Sequence, residues 1–260
     1  MRLAVTTVHG ASDADRGAAR AAATRHAMPF AERRGRSLAR VAGDAGADAL
    51  LVLSATRAAL WLEGREWPWH AGMGELRLRR LLEGEGAARA TADGFLAAAM
   101  LRPGEAVLDA TLGMGADALV ASAAVGAEGR VVGVEASPAL AALVAEGLRR
   151  HGSDAARRVE VLRGDANEIL SSLPERSFDL VTFDPMFRHA REGGPALHLV
   201  RRLADARPLA PETVARARRV ARRAVLVKDG APGWDLARLG LVPLPSARGA
   251  NRLYARIDAR

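Results

Sequence analysis

The stretch AVLDATLGMGAD, residues 106–117, decides the fold. An apolar run ends on Asp109, two glycines follow at 113 and 115, and a helix pattern starts at 116. A strand that turns through glycines into a helix lets the backbone approach a ligand beside the helix N-terminus. Outward from it the alternation continues. VVGVE (131–135) precedes a helix opened by Ser137-Pro138, where Ser caps and Pro takes the first helical position. VEVLRGD (159–165), FDLVTFD (178–184) and AVLVKD (224–229) are the next strands. Apolar runs spaced by helices predict a parallel sheet covered on both faces. LGLVPLP followed by NRLYARI predicts an antiparallel pair at one edge, making a seven-stranded, doubly wound, Rossmann-like α/β sheet.

Upstream, glycine-rich LLEGEGAARATADG marks a boundary before a helix from Phe95 to Met100. The expected division is a small α+β domain, 1–84, and a main domain, 85–260. In the first, LAVTTV is a strand, 13–26 and 36–46 are helices, and ALLVLSATRAALWL is a hairpin. Trp61, Trp67 and Trp69 read as bulky rings closing a small core.

Composition narrows the classes. At 260 residues and 49 % hydrophobic content the chain can bury a core, which argues against disorder. It has no cysteine, so disulfides and thiolate metal sites are excluded. No apolar run approaches the roughly 18 residues of a membrane span, and the N-terminus makes a poor signal peptide. A cytoplasmic protein without a membrane partner is expected. The net charge is +8, yet Lys228 is the single lysine among 38 basic residues, a skew that resembles GC-rich codon usage. Between Phe187 and Arg223 ten Arg face three acids. Two readings stand for that segment: a solvated helical face, or a surface for nucleic-acid phosphates.

Glu135 lies 20 residues past Gly115 at the end of the next strand, where an acid accepts from ribose hydroxyls. Taken as G-x-G-x-x-A, the loop fits a dinucleotide as well as any other adenosine-type cofactor. Asp109 tilts the reading: a carboxylate directly before the loop suits a ligand carrying sulfonium and ammonium groups, not a pyrophosphate. Asp117, in the first helical turn, is either a plain N-terminal charge or a partner for that ammonium. Asp165 is either a turn former or an acceptor for the adenine amine. The expected cofactor is S-adenosylmethionine, held by Asp109, Gly113, Gly115, Asp117, Glu135 and Asp165.

Asp184-Pro185-Met186-Phe187 ends the fourth strand. At this place it resembles the [Asn/Asp]-Pro-Pro-[Tyr/Phe] motif of methyltransferases that act on exocyclic base amines. Such an amine is a poor nucleophile because its lone pair is conjugated into the ring. The Asp184 carboxylate and the Pro185 carbonyl can accept both N–H groups and free that lone pair, while Phe187 offers a stacking face. With Met at the third position and His189 shortly after, the motif resembles the RsmJ family of bacterial 16S ribosomal RNA guanine-N2 methyltransferases. Asp117-Ala after the second glycine, VLVK228 and HAGMGELRLRRL (70–81) match as well, over roughly residues 70–230. The resemblance implies a class I methyltransferase fold, cofactor contacts at Asp117, Glu135 and Asp165, with Asp184 itself as a further candidate contact, and ribosomal RNA or the small ribosomal subunit as partner. It departs at Met186, at Arg188 where better-known members have Pro, and over residues 1–70.

Asp184, Pro185 and Phe187 are therefore the expected catalytic residues, and Phe187, His189, Arg218 and Arg222 the expected substrate contacts. His70 and Arg77 either face the site or serve structure. The remaining histidines show no metal-ligand spacing, so no metal is expected. The rivals are a methyltransferase of the same fold with a small-molecule or protein substrate, a non-catalytic RNA-binding protein that has kept the fold, and an NAD-dependent oxidoreductase. Against the last stands the lack of a proton-relay Tyr–Lys pair, the single tyrosine, Tyr254, lying near the C-terminus.

Overall fold

The computed structural model describes residues 1–83, 93–185, 195–245 and 251–259. In the first part, β1 (Leu3–Thr7) runs parallel to β2 (Ala49–Leu53), joined through helices α1 (Asp13–Arg25) and α2 (Leu38–Asp44). β2 continues as an antiparallel ribbon through β3 (Ala58–Leu62) and β4 (Arg65–Pro68). Ser12 and Asp15 form a reciprocal capping box that fixes the start of α1. Helix α3 (Met73–Leu82) follows, then α4 (Gly94–Ala99), capped by the Asp93 carboxylate.

The main sheet has the strand order β10-β9-β8-β5-β6-β7. β5 (Ala106–Asp109), β6 (Arg130–Glu135), β7 (Val159–Arg163), β8 (Phe178–Phe183) and β9 (Ala221–Gly230) are parallel, and β10 (Arg252–Asp258) is the antiparallel edge. Helices α5 (Ala116–Val125), α6 (Pro138–Arg150), α7 (Asp154–Arg157), α8 (Ala166–Ser172), α9 (Pro195–Leu203), α10 (Pro211–Val220) and α11 (Trp234–Arg238) complete it. Ser137 and Pro138 open α6 as the sequence predicts, with the Ser137 hydroxyl accepting from the Leu140 N–H. The sheet counts six strands among the described residues, where seven are expected. Leu241 to Pro245 do not form a strand, and one hydrogen bond, Leu244 N–H to the Tyr254 carbonyl at 2.7 Å, ties them to β10.

Apolar clusters lie on both faces of the main sheet, one including Ala71, Leu78 and α5, the other including Phe183 and α10. A third joins the small sheet to α6 through Leu51, Leu60, Leu140 and Leu143. Of the three tryptophans, Trp61 and Trp67 pack within the small unit, but Trp69 contacts the clusters of both sheets. A Cβ on Gly147 of α6 would sit 2.0 Å from the Trp69 ring, so only glycine leaves the indole its place. Helix α3 lies equally close to α5: a Cβ on Gly74 would meet the Ala116 backbone at 2.9 Å.

Chain order reverses at β5, which has β6 on one side and β8 on the other. In open α/β sheets the crevice at the carboxyl end of such a switch point is where ligands bind.

Candidate active site

The loops after β5 and β8 meet at that point. Thr111 Oγ1 accepts the Asp184 N–H at 2.5 Å, which holds the Asp184-Pro185 turn against the glycine loop. Gly113 and Gly115 adopt φ of +52° and +82°, a region closed to most side chains, and a Cβ on Gly115 would press on Val144 at 3.2 Å. Four of the loop N–H groups are already spoken for. Thr111 donates to Asp109, Leu112 to the Val134 carbonyl, Gly113 to Glu135, and Gly115 to the Leu112 carbonyl. A pyrophosphate needs such donors free and aimed at it, and these four are not.

Around the loop opens a cavity of about 1060 Å³ lined by Asp109, Gly113, Asp117, Glu135, Asp165 and Asp184, together with Pro185. The structure thus brings together all six expected cofactor residues except Gly115, which shapes the turn from behind. Phe187 and His189 lie outside the described residues. Arg218 and Arg222, the other expected substrate contacts, do not line the cavity. Arg222 pairs with Asp179 near the amino-terminal end of β8, and Arg218 lines a separate groove with Glu175 and Arg176. Five residues of extended strand, roughly 16 Å, separate Asp179 from Asp184.

Carboxylates dominate the charge of the pocket. Asp117 receives Arg77 at 2.5 Å and Lys228 at 3.0 Å, and Lys228 also donates to Asp184. Arg77 forks onto Asp93 with contacts of 2.5 and 3.0 Å. Burial, with Asp117 beside it, pushes the Asp109 carboxyl up to about 8. Burial opposes ionisation of Asp117, yet Lys228 and Arg77 hold it below the ordinary carboxylate range. Burial likewise raises Glu135 even though the Ser137 and Gly113 N–H groups donate to it. Asp165 caps α8 and pairs with Arg207, which keeps it low against burial. Around the loop Asp93, Asp109, Asp117 and Asp184 outnumber Arg77 and Lys228. Such a carboxylate-rich wall suits a ligand with sulfonium and ammonium groups better than one carrying a pyrophosphate.

The sequence leaves Arg77 and Lys228 without a defined role at the site, and both prove central to it. The signal for Lys228 is its isolation as the one lysine in the chain. Arg77 gives no local signal, because its partners lie 16 and 40 residues away. His70, by contrast, is exposed and, among the described residues, accepts only the Gly72 N–H. Tyr254 corrects one step of the sequence argument: β10 sets it opposite Lys228, and both line the cavity. The pair still does not make a proton relay. Lys228 is committed to two carboxylates, and burial pushes the Tyr254 hydroxyl up to about 12, away from the value a relay requires.

Comparison with known proteins agrees with this geometry. A family model described as "Putative SAM-dependent methyltransferase" matches residues 74–237. The uncharacterised protein YpiP of Bacillus subtilis is 35 % identical over 209 residues, 78 % of this chain and 79 % of that protein. The chain belongs to the SAM-dependent methyltransferase family. Within it, the ribosomal RNA small subunit methyltransferase J of Aeromonas salmonicida is 38 % identical over 120 residues, 44 % of this chain and 45 % of the relative. The homologue from Thioalkalivibrio sulfidiphilus is 35 % identical over 140 residues, 50 % of this chain and 54 % of the relative. The chain therefore spans about half the length of these two relatives. A solved SAM-dependent methyltransferase from Neisseria gonorrhoeae superposes with a TM-score of 0.60 at 21 % identity, covering 98 % of this chain and 96 % of that one, a likeness of fold that takes in the small N-terminal sheet. S-Adenosylmethionine is accordingly the cofactor of this methyltransferase. Among the described residues no helix is long and apolar enough to cross a membrane, and no acid–histidine cluster has the spacing to hold a metal.

Proposed function

We propose that the protein methylates the exocyclic N2 amine of a guanine in small-subunit ribosomal RNA. The observation that carries this reading is the Asp184-Pro185 turn, fastened to the cofactor loop by Thr111 and opening on the same cavity. Bound S-adenosylmethionine supplies an electrophilic methyl group on a sulfonium. Glu135 would take the ribose hydroxyls, Asp165 the adenine amine, and Asp109 with Asp117 the cationic end. Asp184 and the Pro185 carbonyl would accept the two N–H groups of the guanine amine, so that its lone pair points out of the ring plane toward the methyl group. The nitrogen gains one bond and sheds one proton, and Asp184 is the base nearest to receive it. Burial raises the Asp184 carboxyl above the ordinary carboxylate range, and Lys228 fixes it in place and works against that rise. Phe187 would stack on the base. Holding two reactants in line removes most of the entropic part of the barrier.

The partial likeness to the small-subunit methyltransferases supports the ribosomal substrate, which also implies a cytoplasmic setting. The test is nucleoside mass spectrometry of ribosomal RNA from a deletion strain, with and without treatment by purified protein. One N2-methylguanosine should be missing from the deletion strain and restored by the protein. A methyl group appearing on a ring nitrogen, a ribose hydroxyl or a protein side chain would overturn the amine mechanism. Activity on a small molecule, with RNA untouched, would favour the same fold serving a different substrate.

A further inference from the structure

We propose that the rim formed by Trp234, Arg252 and Arg80 receives the single-stranded RNA that flanks the target nucleotide. This rests on the ribosomal RNA reading above and says where that substrate lies. Trp234 is 64 % exposed and makes no ring contact with any described residue. It lies at the carboxyl end of the main sheet, the end that carries Asp184. Gly230, the last residue of β9, is paired with Arg252, and the chain then turns tightly, with the Gly233 N–H donating to the Gly230 carbonyl at 2.7 Å. Within that turn the Ala231 N–H donates to the carbonyl of Asn251, which lines the cavity. The turn thereby ties an exposed indole to Asn251 and Arg252, which line the cavity.

Arg252 and Arg80 line the same cavity, from β10 and α3. Both are exposed, and neither makes a hydrogen bond or ion pair with another described residue, although Asp184 feels the charge of Arg252. Most other arginines near the site are neutralised at home: Arg77 by Asp93 and Asp117, and Arg207 by Asp165 and Asp205. Two uncommitted guanidinium groups and one bare aromatic face around a base pocket match a nucleic-acid strand. Phosphates take the cations, and a neighbouring base takes the ring, since every base has a π-face.

The test uses the full-length protein with single-stranded RNA oligonucleotides cut from small-subunit ribosomal RNA, read by fluorescence anisotropy. Trp234→Ala should weaken RNA binding roughly tenfold to hundredfold, with S-adenosylmethionine affinity and melting temperature unchanged, and Trp234→Phe should recover most of the loss. Arg80→Ala with Arg252→Ala should reduce the slope of log affinity against log salt by roughly 0.7 per lost phosphate contact. Wild-type protein that binds and methylates RNA alongside variants that do so equally well overturns the rim proposal and leaves the RNA reading standing. Wild-type protein that neither binds RNA at low salt nor methylates it overturns both. A Trp234→Ala protein that changes its oligomeric state while RNA binding holds assigns the indole to a protein contact and also overturns the proposal.

Discussion

Asp109 stands at the end of β5 with one backbone donor, the Thr111 N–H, and two carboxylates for neighbours. An unfolded chain releases its proton near 3.8, the folded one near 8. Between those values the unfolded state binds fewer protons, so this residue costs stability progressively as pH rises, by up to ~1.4 kcal/mol per pH unit, and the cost levels off above about 8. Asp109→Asn should flatten the pH dependence of urea unfolding between pH 5 and 8; parallel curves for variant and wild type would sink this assignment. A cationic ligand beside Asp109 favours the ionised form, so S-adenosylmethionine affinity should climb toward pH 8 and then level, and the climb should vanish in the Asn variant. Glu135→Ala, examined by calorimetry, should cost about 1.5–3 kcal/mol of cofactor affinity, the worth of hydrogen bonds to a charged acceptor; unaltered affinity would remove Glu135 from the ribose. Both residues are legible in the sequence because each ends a strand at a position the fold fixes. Arg77 is not, since a bridge from a helix before the main sheet to Asp93 and Asp117 exists only once the chain has folded.

At the scale of elements, α6 shows what joins the two sheets. Glu146 is fully buried on it and accepts from Arg25 and His26 at the end of α1, and from Arg150 one turn on. Arg150 also donates to the Ser54 carbonyl in the β2–β3 turn. Burial works against the Glu146 charge, but these partners bring its carboxyl down to about 2. Its folded value lies below its unfolded one, so its contribution is complete above about 4.5 and is lost as pH falls toward 2. Removing one member of a buried pair strands the others, and Glu146→Ala should destabilise by roughly 3–5 kcal/mol. Denaturant unfolding checks it, and a loss below about 1 kcal/mol would mean that water or a rearranged Arg150 replaces the carboxylate. Strand bounds at this scale were readable to within a few residues, because a parallel strand buried on both faces is an unbroken apolar run. What escaped was tertiary. Trp69 reads as part of a small closed core, yet it fills the gap over Gly147. Among the described residues the expected edge strand at 239–245 keeps one bond to β10, that of Leu244, because its prolines at 243 and 245 offer no N–H.

Across the whole molecule the question is where the +8 charge acts. Composition shows the arginines concentrated after Phe187, and a contiguous basic segment invites the inference of a phosphate-binding face. Folding sends that segment in two directions. α9 and the chain after it run along the carboxyl end of the sheet, where Arg207 joins Asp165 at the cavity. α10 then carries the chain back, so that β9 starts at the opposite end. There Arg219 donates to the Leu170 and Leu173 carbonyls, Arg222 pairs with Asp179, and Arg223 forks onto Glu105. These three arginines cap and fasten elements, Arg218 lines a groove with Glu175 at the same end, and a cation already paired with protein has little counterion-release energy to give a phosphate. Replacing Arg218 and Arg222 together with serine should therefore leave the salt slope of RNA binding and the affinity for S-adenosylmethionine unchanged, even though the substitution removes two positive charges. The same measurement on Arg80 and Arg252 removes the same charge from the other end and should lower the slope. Equal flattening by both pairs would mean that RNA responds to the net field of the protein. Flattening by Arg218 and Arg222 alone would return the RNA to the amino-terminal edge, and the strand would then have to run the length of the sheet to deliver a base to Asp184.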